Sequence, residues 1–316
     1  MITVVAPPIA GGVSDYAMAI ADATSSRLLS FDSVFDEATC EDILFIQVSH
    51  YGYQKRGAPL GLLRWTRKQK QRGSKIGCYF HELFAFGPLW TSSFWLSPVQ
   101  RFITAEMARL SDFWMTNRQA SARWLLQVGG RKPNEVLPVF SNVGEPKRHT
   151  SARTRELVVF GAAELRERTY REAGAGLFDW AVRQGLQVHD VGAALTDRKL
   201  RQELAARGTV EHGMLPKEEI SRLLAQAMCG VIAYPVSYIA KSSVFAAYCA
   251  HGVPAFVISK GYAPTDGLFE GEQYWRWPTF EDRRLDESEA VGRQACEWYA
   301  GHAIQRHCEA LQRFSR

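Results

Sequence analysis

Short runs of apolar residues alternate with amphipathic stretches along the whole chain. This alternation is typical of βα units that build parallel sheets. We predict strands on both sides of a polar stretch around Pro146, at residues 2–6, 44–49, 75–80, 112–116, 136–140, 157–161, 186–191, 209–212, 230–234 and 254–259. The pattern therefore predicts an α/β protein with two domains and a boundary between residues 141 and 156.

The most regular local pattern lies in the second half. Because proline suits a first helical position, we predict a helix from Pro216, with apolar residues at helical spacing as far as Met228. The strand at 230–234 follows at once. A loop then leads to a second helix that begins near Ser243 and is capped by Gly252.

Lys241, Ser242 and Ser243 occupy the loop and helix start that follow this strand. Open α/β sheets bind anions at that edge, where unpaired N–H groups and the helix dipole accept negative charge. We predict a phosphate site here. The alternative is that Ser243 only caps the helix.

A second glycine-rich loop follows the first strand. Gly11 and Gly12 permit a tight turn and close backbone approach to a ligand, and Ser14 or Asp15 can cap the helix that follows. The loop matches neither a dinucleotide-binding fingerprint nor a phosphate-binding P-loop, which disfavours NAD and ATP. Two ligand loops, one in each half, would face a common cleft.

His81 and Glu82 come directly after the strand at 75–80, on the ligand-binding edge. Histidine can bond a hydroxyl or carry a proton near neutral pH, and Glu82 can orient it or bind a sugar hydroxyl. The alternative is a satisfied structural histidine. The chain has no His-x-x-x-His or Cys-x-x-Cys pair, so we predict no metal site.

The composition of the chain limits the classes of protein to which it can belong. The chain has 316 residues, 46% hydrophobic and 22% charged, with six cysteines that lack paired spacing. We expect a reduced, cytoplasmic protein in which cysteine acts as a small hydrophobe. No apolar run approaches the ~18–20 residues that cross a bilayer, so we expect any membrane contact to be peripheral.

Residues 55–75 contain many lysines and arginines and no acidic residue. Leucines and Trp65 interleave with them, as in a basic amphipathic helix on an anionic membrane surface, here the inner face of the plasma membrane. The alternatives are a solvated helix face and a nucleic-acid surface. The net charge of +5 is a mild excess, and we predict no nucleic-acid partner. The aromatic-rich stretch at 84–96 either packs in the core or lines an apolar acceptor groove.

Several segments together resemble the retaining, nucleotide-sugar-dependent glycosyltransferases of the GT-B fold that act in bacterial polysaccharide assembly. The resemblance rests on the segments 210–220, 223–228, 231–237 and 250–254, on Gly11-Gly12-Val13, and on His81-Glu82. The association with polysaccharide assembly rests on the block from Tyr51 to Phe84. It implies two Rossmann-like domains facing a cleft. Residues 1–148 would form the acceptor-side domain, residues 149–285 the nucleotide-sugar domain, and 286–316 a helix that packs back on the first domain.

The resemblance also implies roles for individual residues. The donor base would lie near Gly213 and Met214, and the sugar would face His81 and Glu82. The donor loop at Gly11, Gly12 and Val13 would lie opposite. The diphosphate would meet Lys241, the amides of Ser242 and Ser243, and either Arg166 or Arg168. The reaction would be metal-independent, proceed with retention and use no cofactor, with the nucleotide-diphosphate sugar as co-substrate and a saccharide or lipid-linked saccharide as acceptor.

The chain departs from the family pattern at three positions. Members usually carry two glutamates where this chain has Ile239 and Ala247, and often an arginine where it has Ala162. Two other functions therefore stay open. One is a non-catalytic sugar-nucleotide-binding partner protein, and the other is a GT-B-shaped sugar-nucleotide epimerase, which needs proton-transfer carboxylates that we do not identify.

Overall fold

The computed structural model describes residues 1–9, 11–33, 42–85, 90, 92–146, 153–278 and 288–316. They form two compact units, one of residues 1–138 with 304–316 and the other of residues 139–303. The predicted domain ends at 148 and 285 both lie outside the described residues.

The first unit is built on a parallel sheet with the strand order β2-β1-β3-β4-β5-β6. Its strands are β1 (Ile2–Ala6), β2 (Arg27–Ser30), β3 (Ile43–Val48), β4 (Lys75–Phe80), β5 (Phe113–Thr116) and β6 (Asn134–Val136). Helices α1 (Gly12–Thr24), α2 (His50–Tyr53), α3 (Leu60–Gln71), α4 (Ser92–Leu110) and α5 (Gln119–Gly129) connect them, with a 3-10 turn at Phe31–Ser33. The central strands are buried on both faces, which explains their continuous apolar runs.

The strand predicted at residues 136–140 is found earlier in the chain, at residues 134–136. Strand β6 ends at Val136, and Val139 belongs to the second unit, where its N–H donates to the carbonyl of Ala240 at 3.0 Å. Pro138 has no N–H to give to a ladder, so an apolar run that contains it is a poor strand.

The second unit is built on a parallel sheet with the strand order β12-β11-β10-β7-β8-β9. Its strands are β7 (Thr154–Phe160), β8 (Gln187–Val191), β9 (Val210–Gly213), β10 (Ala227–Ala233), β11 (Ala255–Ile258) and β12 (Trp275–Arg276). The helices are α6 (Ala163–Ala173), α7 (Ala175–Arg183), α8 (Arg198–Ala206), α9 (Lys217–Gln226), α10 (Ser243–Ala250) and α11 (Ser288–Ala300), with a 3-10 turn at Val236–Lys241. Both sheets confirm the predicted α/β class.

The prediction that Ala227 and Met228 continue the preceding helix is wrong, because strand β10 begins at Ala227. Ala227 is fully buried and pairs with Thr154 of β7. A fully buried strand has apolar residues on both faces, so its pattern can extend the spacing of the helix before it.

The last helix, α12 (Ile304–Ser315), belongs to the first unit and packs against α1. The hydroxyl of Tyr16 lies 2.7 Å from Nδ1 of His307, whose Nε2 lies 3.0 Å from the carbonyl oxygen of Pro138. The stretch at 286–316, predicted as one helix, therefore contains two helices: α11 belongs to the second unit and α12 to the first.

The strand orders show where each sheet can bind a ligand. The chain reverses direction between β1 and β3 in the first sheet, and between β7 and β10 in the second. Ligands of open α/β sheets bind at the carboxyl ends of strands beside such a reversal. The loops after β1, β3, β7 and β10 are therefore the expected ligand-binding loops.

Gly292 provides a test of the packing in the second unit. A Cβ atom added to this glycine of α11 would lie 2.2 Å from the carbonyl oxygen of Gly252, which is backbone and cannot turn aside. We expect Gly292→Ala to lower the free energy of unfolding by ~1–3 kcal/mol through overpacking. Urea denaturation measures it, with Gly12→Ala as control, since nothing lies within 4 Å of its added Cβ. Equal stability of both variants would contradict this packing.

Candidate functional site

The loop after β1 ends at a glycine whose backbone only glycine adopts readily. Gly11 precedes α1 with φ 155° and ψ −173°, a region that is essentially restricted to glycine. A Cβ on Gly11 or Gly12 would meet nothing within 4 Å, and Val13 is half-buried in the first turn of α1. The glycines therefore leave the start of this helix open, as the predicted ligand loop requires.

His81 directly follows β4 and is held firmly by its surroundings. Its side chain is buried, with Nε2 3.0 Å from Oε1 of Gln47, and its carbonyl accepts a bond from Nδ2 of Asn117 at 3.0 Å. The rings of Tyr16 and Tyr79 lie within 4.9 Å of the imidazole centre. The structure places His81 at the predicted edge of the sheet, but as a packed residue.

Glu82 is half-buried beside a second histidine that connects the loops after β3 and β4. Nε2 of the buried His50 lies 2.7 Å from the carbonyl oxygen of Leu83 and 2.9 Å from Oγ1 of Thr104. Burial lowers the pKa of His50, while the Leu83 carbonyl and the charge of Glu82 oppose that shift. His50 therefore holds the loop that carries Glu82.

In the second unit, the loop after β7 lies directly against the start of α10. Gly161 has φ +122°, and a Cβ atom there would lie 3.0 Å from Cγ2 of Val244 in the first turn of α10. A larger residue would push the loop away from the helix. Glycine therefore brings the β7 loop and the N-terminus of α10 together at the reversal point of the sheet.

Ser242, not Ser243, caps α10. Its Oγ accepts a hydrogen bond from the N–H of Phe245 at 3.2 Å, and its own N–H donates to the carbonyl of Ile239 at 2.9 Å. Because both groups are used inside the loop, we correct the predicted role of Ser242 from phosphate binding to capping. Ser243 is the first residue of the helix and remains a predicted amide donor.

Lys241 ends the 3-10 turn that leads into this cap. It is half-buried, and its Nζ lies 5.7 Å from the ring centre of Tyr238. An ammonium group at this distance from an aromatic face is attracted to it. Lys241 thus brings positive charge to the same helix end as Ser243.

The two arginines predicted to reach a diphosphate have different environments. Arg166 is fully buried and bonds Asp190 and the carbonyl oxygens of Gly161 and Ala193. Its guanidinium holds loops inside the unit and has no access to a ligand, so we correct its role to a structural one. Arg168 is exposed, and its Nε and Nη2 donate to the carbonyl of Ala233 at 3.1 and 2.5 Å.

Arg168 borders a cavity of about 320 Å³ at the carboxyl ends of β10 and β11. Tyr234, Ser237 and Lys260 line it as well. No binding role was predicted for any of these three residues. The usable signal was their position at strand ends, because Tyr234 ends the strand predicted at 230–234, Ser237 follows it by three residues and Lys260 directly follows the strand predicted at 254–259.

Gly213 is the last residue of β9 and Met214 follows it, at the same edge of the sheet. Gly213 has φ +68°, and its carbonyl accepts a bond from the N–H of Gly192 at 2.9 Å. Met214 is 76% exposed. The exposure of both residues leaves this loop open to a ligand. Ile239 and Ala247, at the positions where the glycosyltransferases that the sequence resembles usually carry glutamates, are both fully buried.

The residues that the structure describes contain no cluster of three or more His, Cys, Asp or Glu side chains arranged to hold a metal ion. None of the helices described is long and apolar enough to span a membrane.

No protein-family model and no curated protein sequence matches this chain. Several solved structures do. The pneumococcal O-GlcNAc transferase GtfA, in complex with UDP and GlcNAc, is 12% identical with a TM-score of 0.56, covering 86% of this chain and 56% of its own. The lipopolysaccharide outer core galactosyltransferase WaaB is 10% identical with a TM-score of 0.54, covering 99% and 98%.

A third solved structure is α,α-trehalose 6-phosphate synthase from Burkholderia multivorans. It is 9% identical with a TM-score of 0.58, covering 96% of this chain and 74% of its own. This chain therefore spans little more than half of GtfA and nearly all of WaaB. At such low identities the likenesses concern the fold, and they confirm the prediction: this protein has two Rossmann-like domains of the GT-B fold.

Proposed function

We propose that the protein is a glycosyltransferase that moves a sugar from a nucleotide-diphosphate donor to a saccharide or lipid-linked saccharide acceptor. The observation that carries the proposal is the start of α10, where Lys241 and Ser243 come just before Val244, the residue that lies against the glycine loop of β7 at the reversal point of the sheet. Solved structures of the same fold include one transferase in complex with UDP and another that is a galactosyltransferase.

The chemistry of this helix end suits a diphosphate leaving group. Breaking the bond to the sugar releases negative charge, which the helix N-terminus and the ammonium group of Lys241 stabilise. These groups are held in place before the reaction, so they need no reorganisation when charge develops. The proposed reaction therefore uses no metal and no cofactor.

We propose retention as its stereochemical course. The acceptor hydroxyl would attack on the face from which the phosphate leaves, and the leaving phosphate would take its proton. No enzymic nucleophile is then required. The donor base would bind at Gly213 and Met214, and Arg168 would supply a further cation beside the cavity at β10 and β11.

In the first unit, the open glycine loop at Gly11 and Gly12 and the residues after β4 are the proposed contacts to the sugar or acceptor. His81 and Glu82 would bond sugar hydroxyls.

His81→Ala tests the first-unit contact. We expect turnover to fall about fivefold, which corresponds to the ~1 kcal/mol net value of one hydrogen bond. Transfer assays measure it, with the free energy of unfolding followed in parallel, since the imidazole also contacts Gln47. Unchanged turnover with lower stability would leave His81 a structural role only.

A non-catalytic sugar-nucleotide-binding partner protein is the second candidate. It is favoured by the two fully buried apolar side chains, Ile239 and Ala247, at the positions where related enzymes carry glutamates. Binding of a nucleoside diphosphate without donor hydrolysis or transfer would support this candidate.

We also propose that the protein works in the cytoplasm and contacts the inner face of the plasma membrane through residues 55–75. Helix α3 supports this proposal, because Arg64, Arg67 and Lys68 are exposed while Leu62, Leu63 and Trp65 are buried. The basic side chains thus lie on the outer face of the helix, where anionic lipid headgroups could meet them.

A thermal-shift screen of nucleoside diphosphates tests the proposed donor site. A ligand that binds only the folded protein at about a hundredfold excess over its Kd stabilises the fold by ~2.7 kcal/mol. We expect at least one nucleoside diphosphate to raise the Tm, and incubation with its sugar conjugates to release it when an acceptor is present. If no member of the series raises the Tm, the proposed function is wrong.

A further inference from the structure

Helix α4 carries large apolar side chains on its outer face. Trp95, Val99 and Phe102 are 71%, 36% and 53% exposed, and their spacing of four and three residues places them on one side of the helix. Phe94 is also exposed beside them, with its ring centre 5.5 Å from that of Trp95. Phe94 and Trp95 of the aromatic-rich stretch at 84–96 therefore do not pack in the core, although core packing was one of the two predictions for that stretch.

The buried side of the same helix explains why this exposure is unusual. Ile103 and Met107 are fully buried in the core of the first unit. A helix that packs one apolar face against a sheet normally presents polar residues on the other. A contiguous exposed apolar surface commonly marks an interaction site.

Positive charge surrounds this apolar stripe. Continuing by four residues from Phe102, the stripe reaches Glu106, whose carboxylate pairs with Arg67 of α3 at 2.9 Å and with Arg109 at 2.7 Å. The one acidic residue of α4 is thus neutralised by two arginines. Arg101 adds a further exposed cation on α4.

Aromatic side chains beside lysines and arginines match the chemistry of an anionic membrane interface. Tryptophan and phenylalanine partition into the headgroup boundary, and basic residues attract acidic lipids. A second copy of the chain fits less well. In a two-fold symmetric contact through the same patch, the basic surfaces around it would meet each other.

We propose that the outer face of α4 inserts into the headgroup region of an anionic phospholipid membrane through Phe94, Trp95, Val99 and Phe102. The basic side chains of α3 bind the headgroups beside it. This inference rests on the proposed membrane contact of residues 55–75 and is independent of glycosyl transfer, since vesicle binding is measured without a donor.

The experiment is co-sedimentation of the full chain with vesicles of phosphatidylcholine alone and of phosphatidylcholine mixed with phosphatidylglycerol. We expect the native protein to bind the mixed vesicles at low salt and the neutral ones much more weakly. The double variant Trp95→Gln/Phe102→Gln should bind the mixed vesicles at least about tenfold more weakly. Val182→Gln, which changes a 78% exposed apolar residue of α7, is the matched control and should bind as the native protein does.

Two further variants separate insertion from charge attraction. Arg64→Gln/Lys68→Gln should weaken binding about thirtyfold and flatten its salt dependence, because each of the two basic residues contributes ~1 kcal/mol. Trp95→Phe should keep binding but lose part of the fluorescence quenching by lipids brominated in their acyl chains.

Three results would overturn the inference. Native affinity in the aromatic double variant would show that α4 does not insert, while the contact of residues 55–75 could still stand. Equal binding to neutral vesicles would exclude an anionic partner. A native dimer that becomes monomeric in the aromatic variant, with no vesicle binding, would assign the surface to a second copy. Circular dichroism confirms that each variant is folded.

Discussion

Asp190→Asn is expected to lower the free energy of unfolding by ~3–5 kcal/mol, the usual cost of removing one partner of a buried ion pair. Arg166 is fully buried and Asp190 is 4% exposed. Asparagine has nearly the same shape and can still accept the hydrogen bond that the Tyr170 hydroxyl donates at 2.9 Å. The substitution therefore removes little except the negative charge that balances the guanidinium of Arg166.

A second variant tests the cause. Burial raises the pKa of Asp190, although Arg166 and Tyr170 oppose the shift. Both charges lose hydration on burial, so an apolar replacement of the whole pair can be nearly neutral, whereas removal of one partner leaves the other charge buried and uncompensated. We expect Arg166→Met/Asp190→Asn to recover much of the stability lost in Asp190→Asn.

The control is an exposed arginine on the same helix. Arg171, whose side chain is 54% exposed, pairs with Asp197 at 2.7 Å, and Arg171→Met should cost less than ~1 kcal/mol. Urea denaturation measures all three variants. A loss below about 1 kcal/mol in Asp190→Asn would contradict the structural role that we assign to Arg166.

The same ion pair lies behind the candidate site. Arg166 donates to the carbonyl of Gly161 at 2.9 Å, and Gly161 lies against the start of α10. A Cβ on Gly192 would lie 2.4 Å from the same carbonyl oxygen and 2.8 Å from Nε of Arg166. The charge pair thus holds the loops after β7 and β8 in place, and its loss should also weaken donor binding.

Lys241→Ala is the prediction with the largest effect on activity, a decrease in turnover of about a hundredfold. An ammonium group aimed at a leaving diphosphate stabilises charge that exists mainly in the transition state, so its loss lowers kcat as well as kcat/KM. The measurement is the rate of transfer under saturating donor.

Two variants control this experiment. Lys217→Ala removes an exposed lysine at the start of α9 and should leave turnover unchanged. Lys241→Arg keeps the charge and should retain part of the activity. Turnover of Lys241→Ala within twofold of the native protein would remove Lys241 from the proposed role.

The sequence predicts some strands closely and others not at all, for a physical reason. Strands β1 and β4 have the predicted bounds, because each is a continuous apolar run buried on both faces. Strands β2 and β12 are short and partly exposed, so they leave no comparable apolar run. The central strands of each sheet can therefore be predicted from the sequence, whereas the edge strands β2 and β12 cannot.

The sequence likewise predicts the position of the candidate site, but not the roles of all its residues. Its position at strand ends follows from the order of strands, which places Lys241 and Ser243 at a helix start. The roles of Arg166 and Ser242 depend on partners that the pattern does not reveal. Asp190 of β8 bonds Arg166 of α6, and the amide of Ser242 donates to the carbonyl of Ile239 in a turn that was predicted only as a loop.

A crystal structure of the chain soaked with a nucleoside diphosphate that raises its Tm tests the central claim most directly. Our account predicts diphosphate oxygens within hydrogen-bonding distance of the Ser243 amide and of Nζ of Lys241. A diphosphate bound elsewhere, for example between Arg168 and Lys260 with the start of α10 untouched, would contradict it.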